Sequence, residues 1–107
     1  MDKRIEKIAD TYGFTAQARQ TMEECAELIQ ALSKYMRALG SGEPAMKSGK
    51  RIEPEAAHDS VVEEIADVTI ILEQLQYLMD CETELSGWKN LKIERSLERM
   101  KHSKFGR

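Results

Sequence analysis

Hydrophobic positions in this chain recur every three to four residues over long stretches, which is the spacing of an amphipathic helix. The clearest run lies between residues 16 and 39, where the apolar positions are Met22, Cys25, Ile29, Leu32, Met36 and Leu39. A second run between residues 56 and 80 has apolar positions at Val61, Ile65, Val68, Leu72, Leu75 and Met79. We expect the second stripe to be the core face of its helix. Apolar side chains also lie on several other faces, so a single chain leaves apolar surface uncovered for an interface at Met22, Met36, Tyr77, Leu78 and Met79.

Breaks in this pattern divide the chain into four predicted helices. They cover about Asp2–Thr11, Ala16–Leu39, Ala56–Asp80 (beginning between Ala56 and Asp59) and Glu82–Ser103. Gly13 suits a left-handed C-cap of the first helix, and Thr15 suits the N-cap of the second. The inward face of the last helix is predicted at Ile93, Leu97 and Met100. The predicted fold class is all-α, a four-helix bundle-like domain formed by residues 1–107 and completed by oligomerisation.

Residues 40–54 form the one long loop that we predict. Gly40, Gly42 and Pro44 interrupt the helical pattern there, and the loop also contains three basic residues, Lys47, Lys50 and Arg51. Loops of this length without secondary structure are usually functional or disordered. The sequence leaves open whether this loop is an ordered lid.

Composition narrows the classes of protein. The chain has 107 residues, 41% apolar and 33% charged, with a net charge of −3. This is enough for a single domain, and it provides no overall basic field for nucleic acid. We expect no membrane segment, because no apolar run approaches the roughly 20 residues of a spanning helix. Cys25 and Cys81 belong to no metal or disulfide motif and Met1–Arg4 opens no signal peptide, so we expect a cytoplasmic protein.

Two acidic motifs are the most informative feature of the sequence. Glu24 and Glu27 are three residues apart on one predicted helix, as are Glu64 and Asp67 on the next, so each pair shares a helix face. Like charges at that spacing destabilise a helix unless a positive charge lies between them. If the two helices pack together, the four carboxylates form a ligand set for a hard divalent cation, Mg²⁺ or alternatively Mn²⁺.

The alternative is that these are ordinary surface acids, which is the commoner explanation for either motif taken alone. Glu64 and Asp67, however, lie in line with Ile71 and Leu78, which favour burial. A carboxylate in apolar surroundings is costly without a partner, so the two motifs together favour metal binding. Ferritin-like di-iron sites use Glu-x-x-His pairs, and neither His58 nor His102 occupies such a position.

Basic residues that could hold phosphate are concentrated on the last predicted helix. Trp88, Lys92, Arg95 and Arg99 fall on one stripe. Lys34 and the basic loop residues are further candidates. The alternative for the stripe is solvated charge balanced by acids on the same helix.

These motifs resemble the MazG-like family of all-α nucleoside triphosphate pyrophosphohydrolases. The similar segments are the E-E-x-x-E of Glu23–Glu27, the E-x-x-D of Glu64–Asp67 and the N-x-K-x-x-R of Asn90–Arg95. The resemblance covers about residues 12–100. The acidic pair of motifs is fairly specific, and the basic segment is weaker.

The resemblance implies hydrolysis of a nucleoside triphosphate to the monophosphate and pyrophosphate, with a metal-activated water attacking phosphorus. It implies that Mg²⁺ is ligated by Glu24, Glu27, Glu64 and Asp67, with Glu23 as a supporting acid that orients the water. Phosphate oxygens would be held by Lys92 and Arg95, and Lys34 and Trp88 are added as substrate-binding candidates. Family members are typically dimers or tetramers, so we expect a homodimer or homotetramer.

The substrate base is left open. Gln17, Gln20 and Trp88 could contact a base, as could Tyr12 and Phe14, although we expect those two in the core. Dimeric dUTPases, dCTP pyrophosphatases and phosphoribosyl-ATP pyrophosphohydrolases belong to the same superfamily. The last group typically has a Tyr-His pair where this chain has residues 69–72, which counts against that group.

Two other classes of function remain at this stage. The first is a non-catalytic helical module that binds a regulatory partner through its acidic face, for which the acids could be neutralised without loss of function. The second is metal storage, which the scarcity of His and Cys ligands disfavours.

Overall fold

A computed structural model describes residues 1–102 of the chain. The described part contains three helices and one short hairpin, namely α1 (Lys3–Ala38), β1 (Met46–Lys47), β2 (Lys50–Arg51), α2 (Pro54–Leu78) and α3 (Glu82–Lys101). The predicted all-α class is confirmed. The predicted end of the last helix at Ser103 lies outside the described residues.

The first two predicted helices are one kinked helix. The Asp2 carboxylate accepts a hydrogen bond from the backbone N–H of Arg4 at 2.9 Å and caps the start of α1. Gly13 has φ 83° and ψ 169°, a non-helical backbone inside α1. The positive φ agrees with the predicted break, but the extended ψ is not that of a left-handed cap. The chain therefore bends at Gly13 between two helical segments, so the break that the sequence predicts here is a kink inside α1.

Residues 40–54 are ordered around a two-stranded antiparallel hairpin. Met46 pairs with Arg51, and Lys47 pairs with Lys50. The two residues of the turn, Ser48 and Gly49, have φ values of 52° and 78°. Positive φ at both positions is the requirement of a type I′ turn, whose twist matches that of the strands. The predicted loop is therefore partly regular structure.

Two helices, α1 and α2, pack side by side in opposite directions. At one end the Tyr77 hydroxyl donates a hydrogen bond to the Asp10 carboxylate at 2.8 Å. At the other end the rings of Tyr35 and His58 meet edge to face, with centroids 5.9 Å apart. The buried apolar residues of these helices are mostly small and comprise Ala9, Ala31, Ala57, Val61 and Ile71. Small side chains let the two helices approach closely.

The face of α1 that packs on α2 is the polar one that contains Gln17, Glu24 and Ala31, which we call its polar stripe. Gln17 and Ala31 are buried there, and Glu24 is half-buried. The apolar stripe of α1 is exposed at Met22, Ile29, Leu32, Met36 and Leu39, and no described element covers it. The exposure of Met22 and Met36 agrees with the uncovered apolar surface that the sequence indicates.

The packing face of α2 is the sector that contains its acidic motif. Ile71 is buried, and Glu64, Asp67 and Leu78 are half-buried beside it. Of the stripe predicted as core, Val61 is buried, whereas exposed positions include Ile65, Leu72 and Met79. Tyr12 and Phe14 are also exposed, at 65% and 50%, so their prediction as core residues is wrong.

The last helix, α3, lies largely apart from the α1–α2 pair. None of its described residues is buried, and the described chain is flattened, with dimensions of 44 × 43 × 20 Å. The predicted inward face is exposed at Ile93 (54%), Leu97 (48%) and Met100 (46%). The described residues of a single chain therefore do not form a four-helix bundle, and an inward face of α3 that a second copy completes stays a prediction.

A membrane crossing finds no support in the described helices. Over residues 1–102, none combines the length and the hydrophobicity that a span requires.

Candidate metal centre

Three carboxylates converge where the middle of α1 meets the middle of α2. Glu24 and Glu27 project from α1, and Glu64 projects from α2. Each offers an oxygen that lies within 4.8 Å of the oxygens offered by the other two. The i, i+3 spacing places the two α1 acids on one face, and the antiparallel packing brings Glu64 opposite them. We call these three residues the acidic cluster.

Two oxygens of the acidic cluster are buried without a partner. Glu24 Oε2 and Glu64 Oε2 are inaccessible to solvent and accept no hydrogen bond from any residue between 1 and 102. The other oxygen of Glu24 accepts a hydrogen bond from the side-chain amide of Gln20 at 2.7 Å. Gln20 therefore fixes the orientation of Glu24, whose Oε2 has no donor. Buried carboxylate oxygens without donors are rare because desolvation is costly.

The electrostatics of the cluster favour a positive charge at its centre. Partial burial raises the pKa of Glu64 above its ordinary value, and the nearby carboxylates of Glu27, Asp67, Glu24 and Glu63 raise that pKa further. Each of these effects makes the ionised form of Glu64 less favourable. A bound cation would reverse the effects of burial and of carboxylate repulsion, because it would replace the lost hydration of Glu64 and offset the negative charge around it.

The residues of the cluster fit a hard divalent cation. All the donors are carboxylate oxygens, which are the ligands of Mg²⁺ and Mn²⁺ and not of softer metals. Acidic groups also gather at protein surfaces without any ion. The two partnerless oxygens are what distinguish this cluster from such groups.

The other two predicted acids lie beside the cluster. Asp67 is half-buried and lines a cleft together with Glu24, although it is not one of the three mutually close carboxylates. Glu23 is exposed and is also outside the three. The sequence therefore predicts the position of three cluster residues, with Asp67 next to them.

The cleft that contains Asp67 is lined by side-chain amides. It has a volume of about 160 Å³, and Gln17, Gln20 and Gln74 contribute to its walls. The Gln17 amide donates a hydrogen bond to the Gln74 carbonyl oxygen at 2.6 Å, and both side chains are buried. This bond ties α1 to α2 directly beside the acids.

Gln74 is a site residue that the sequence analysis missed. A periodicity signal was present, because Gln74 follows Asp67 by seven residues and Gln17 precedes Glu24 by seven. Residues seven apart lie two helical turns apart on one face. The same rule that pairs the acids therefore aligns a glutamine beyond each pair.

The basic residues of α3 are not brought to the acidic cluster within one chain. Lys92 and Arg95 line a surface pocket formed by residues of α3 alone. The Lys92 ammonium lies 5.9 Å from the centroid of the Trp88 ring, a cation–π distance, and Trp88 is 55% exposed. By contrast, Lys34 lines a cavity that also contains Glu27 and Glu64. Of the predicted phosphate-binding residues on the helices, only Lys34 shares a cavity with the acids among the described pockets. Gln17 and Gln20, candidates for contacting the base, line the cleft with Glu24 and Asp67.

The chain was compared with family models, curated proteins and solved structures, and no match was found in any of the three.

Proposed function

We propose that the protein is a Mg²⁺-dependent nucleoside triphosphate pyrophosphohydrolase, which releases the monophosphate and pyrophosphate. The observation that supports this most directly is the convergence of Glu24, Glu27 and Glu64 with two buried oxygens that have no partner. These acids stand in the E-E-x-x-E and E-x-x-D segments that resemble the MazG-like family. Mg²⁺, or Mn²⁺ in its place, would be held by Glu24, Glu27, Glu64 and Asp67.

The proposal assigns distinct tasks to the protein's own residues. The four acids bind the cation, and Gln20 holds Glu24 in a fixed orientation through its 2.7 Å hydrogen bond. Glu23, exposed at the edge of the cluster, is a candidate for orienting a water. When bound, the cation supplies neutralisation of phosphate charge and acidification of a water. No nucleophilic side chain is needed for this chemistry.

The test is a pyrophosphate-release assay with each ribo- and deoxyribonucleoside triphosphate, in Mg²⁺ and separately in Mn²⁺. Wild-type protein should release pyrophosphate, and Glu64→Gln should abolish the release while its circular dichroism spectrum stays unchanged. Thr69→Ala, at an exposed position of the same helix where the hydroxyl donates a hydrogen bond to the Ile65 carbonyl, should leave the metal dependence unchanged. Absence of release from every nucleotide with both metals would reject the enzymatic proposal.

The proposal includes assembly into a homodimer or homotetramer. The apolar stripe of α1 and the apolar side chains of α3 are exposed in the isolated chain. Exposed patches of this extent commonly mark interfaces between proteins. A second copy of the chain would bury both faces and would complete a helical bundle.

A non-catalytic partner-binding module is the second candidate, and the same exposed apolar stripe favours it. The two candidates differ in what the acids do. A module should keep its partner when Glu64 is neutralised, whereas the enzyme should lose turnover. We also propose a cytoplasmic location, which is supported by the free thiols of Cys25 and Cys81.

A further inference from the structure

A cavity of about 290 Å³ opens beside the acidic cluster, between α1, the hairpin and α2. Glu27 and Lys34 line it from α1, Lys47 lines it from the hairpin, and Ser60 and Glu64 line it from α2. We call it the hairpin cavity. It is a site of mixed charge, since two lysines and two members of the acidic cluster share its lining.

We propose that the hairpin cavity binds the polyphosphate part of the substrate, with Lys34 and Lys47 holding phosphate oxygens. The inference rests on the proposed function for the identity of the anion. It goes further by assigning phosphate binding to α1 and the hairpin of the same chain, where the sequence motifs point to α3.

The chemistry of the cavity suits a phosphate chain that is bound together with a cation. Neither Lys34 nor Lys47 forms an ion pair within residues 1–102, so both ammonium groups are available to an anion. The carboxylates of Glu27 and Glu64 would repel phosphate unless a cation neutralised them. Phosphate binding in this cavity should therefore require Mg²⁺.

The size of the cavity agrees with this assignment. Ligand cavities in proteins start at roughly 300 Å³, so 290 Å³ is at the small end of the range. A cavity of this volume accommodates a short phosphate chain. The nucleoside would extend out of the cavity.

The hairpin presents Lys47 on a defined side. Side chains alternate along a strand, and residues paired across strands share a face. Lys47 therefore faces one way, whereas Arg51, paired with Met46, faces the other. Ala45 is 1% exposed, and its carbonyl accepts a hydrogen bond from the Ile52 N–H at 2.8 Å, which anchors the base of the hairpin. Arg51 is thus a matched control on the same hairpin.

The decisive measurement is isothermal titration of the protein with inorganic pyrophosphate, with and without Mg²⁺. Lys47→Gln should weaken binding by about tenfold or more, the loss expected for one charge-assisted hydrogen bond. Lys34→Gln should behave in the same way. Arg51→Gln should change the affinity by less than about twofold, as for other exposed charges. All three variants should melt at the wild-type temperature.

Three outcomes would overturn the inference. They are no binding of pyrophosphate by the wild type with Mg²⁺, equal affinity of Lys47→Gln and wild type, and equal losses in Lys47→Gln and Arg51→Gln. Nucleotide turnover separates this inference from the proposed function. Turnover with a KM that Lys47→Gln leaves unchanged rejects the cavity assignment alone. Lys47-dependent binding of pyrophosphate without turnover of any nucleotide rejects the enzymatic proposal and supports the cavity.

Discussion

At the scale of single residues, burial and the neighbouring carboxylates disfavour the ionised form of Glu64. Its pKa is raised above the ordinary value of 4.5 by burial and by the surrounding carboxylates. The folded metal-free protein therefore retains a proton on Glu64 at a pH where the unfolded chain has lost it. The resulting stabilisation is fully present below pH 4.5 and is lost as the pH rises through the raised pKa.

The ionisation of Glu64 should therefore lower the stability of the folded protein as the pH rises, which leads to the first prediction. In metal-free protein the melting temperature of Glu64→Gln should exceed that of wild type, and the difference should grow as the pH rises from 4.5 to 7.5, because the substituted amide does not ionise. Thermal melts in EDTA at several pH values measure this difference directly. Contributions from other titrating groups cancel between the two proteins. A difference that does not vary with pH would contradict the assigned pKa shift.

The second prediction concerns Gln20, which touches the cluster through Glu24 alone. Gln20→Met keeps the side-chain length but removes the hydrogen bond to Glu24 Oε1. Loss of a group that orients a ligand typically costs 10–100-fold in metal affinity, and we expect about tenfold here.

A Mg²⁺ titration followed by the shift in melting temperature measures the effect of Gln20→Met. Gln76→Met is the control, because it makes the same chemical change on α2 at a side chain that forms no hydrogen bond to the cluster within the described structure. Equal Mg²⁺ affinity in Gln20→Met and wild type would show that Gln20 does not position Glu24.

At the scale of elements, the kink at Gly13 decides how α1 lies on α2. The conformation with φ 83° and ψ 169° belongs to a region that is almost exclusive to glycine. A Cβ at Gly13 would meet nothing within 4 Å, so a substitution there is opposed by backbone strain and not by a clash.

The third prediction is therefore that Gly13→Ala destabilises the protein by about 1–3 kcal/mol. Gly87→Ala is its control, because Gly87 lies inside α3, where alanine is favoured over glycine by roughly 0.5–1 kcal/mol. Urea unfolding followed by circular dichroism compares the two. If Gly13→Ala were as stable as wild type, the bend would not require this backbone conformation.

The sequence predicts the helices and the three residues of the acidic cluster, but it does not identify the face of α1 that packs on α2. Helical periodicity is a local property, so Glu24 and Glu27 can be placed on one face without knowledge of the partner helix. Which face packs depends on burial across the whole assembly. The rule that apolar faces are covered points to the Met22–Leu39 stripe, whereas in the single chain the polar stripe with Gln17 and Ala31 packs on α2.

The hairpin also could not be predicted from the sequence pattern. Ser48 and Gly49 form a two-residue turn with positive φ at both positions, but strands of two residues leave almost no hydrophobic alternation to detect. Lys47 lines the same cavity as Glu27 and Glu64 only because of the tertiary packing of the hairpin. No spacing rule links a loop residue to a helix face.

At the scale of the whole molecule, the exposed apolar surface indicates that a single chain does not bury a complete hydrophobic core. Few residues are buried between α1 and α2, and α3 has none among those described. Met22, Ile29 and Met36 are each more than half exposed along one side of α1. An isolated chain with so small a core would be marginal, because burial of apolar surface is the main source of folding free energy.

The fourth prediction is that Ile29→Glu disrupts the assembly. Ile29 is 67% exposed in the isolated chain and lies in the middle of the stripe, so a glutamate there would be an unpaired charge at a contact between two copies. Analytical ultracentrifugation should give a multiple of 12.2 kDa for wild type and a lower mass for the variant. Ile29→Leu keeps an apolar side chain at the same position and should retain the wild-type mass. A wild-type mass of 12.2 kDa at micromolar concentration would instead show that the stripe is not covered by a second copy, and a partner of a different sequence would then be required to cover it.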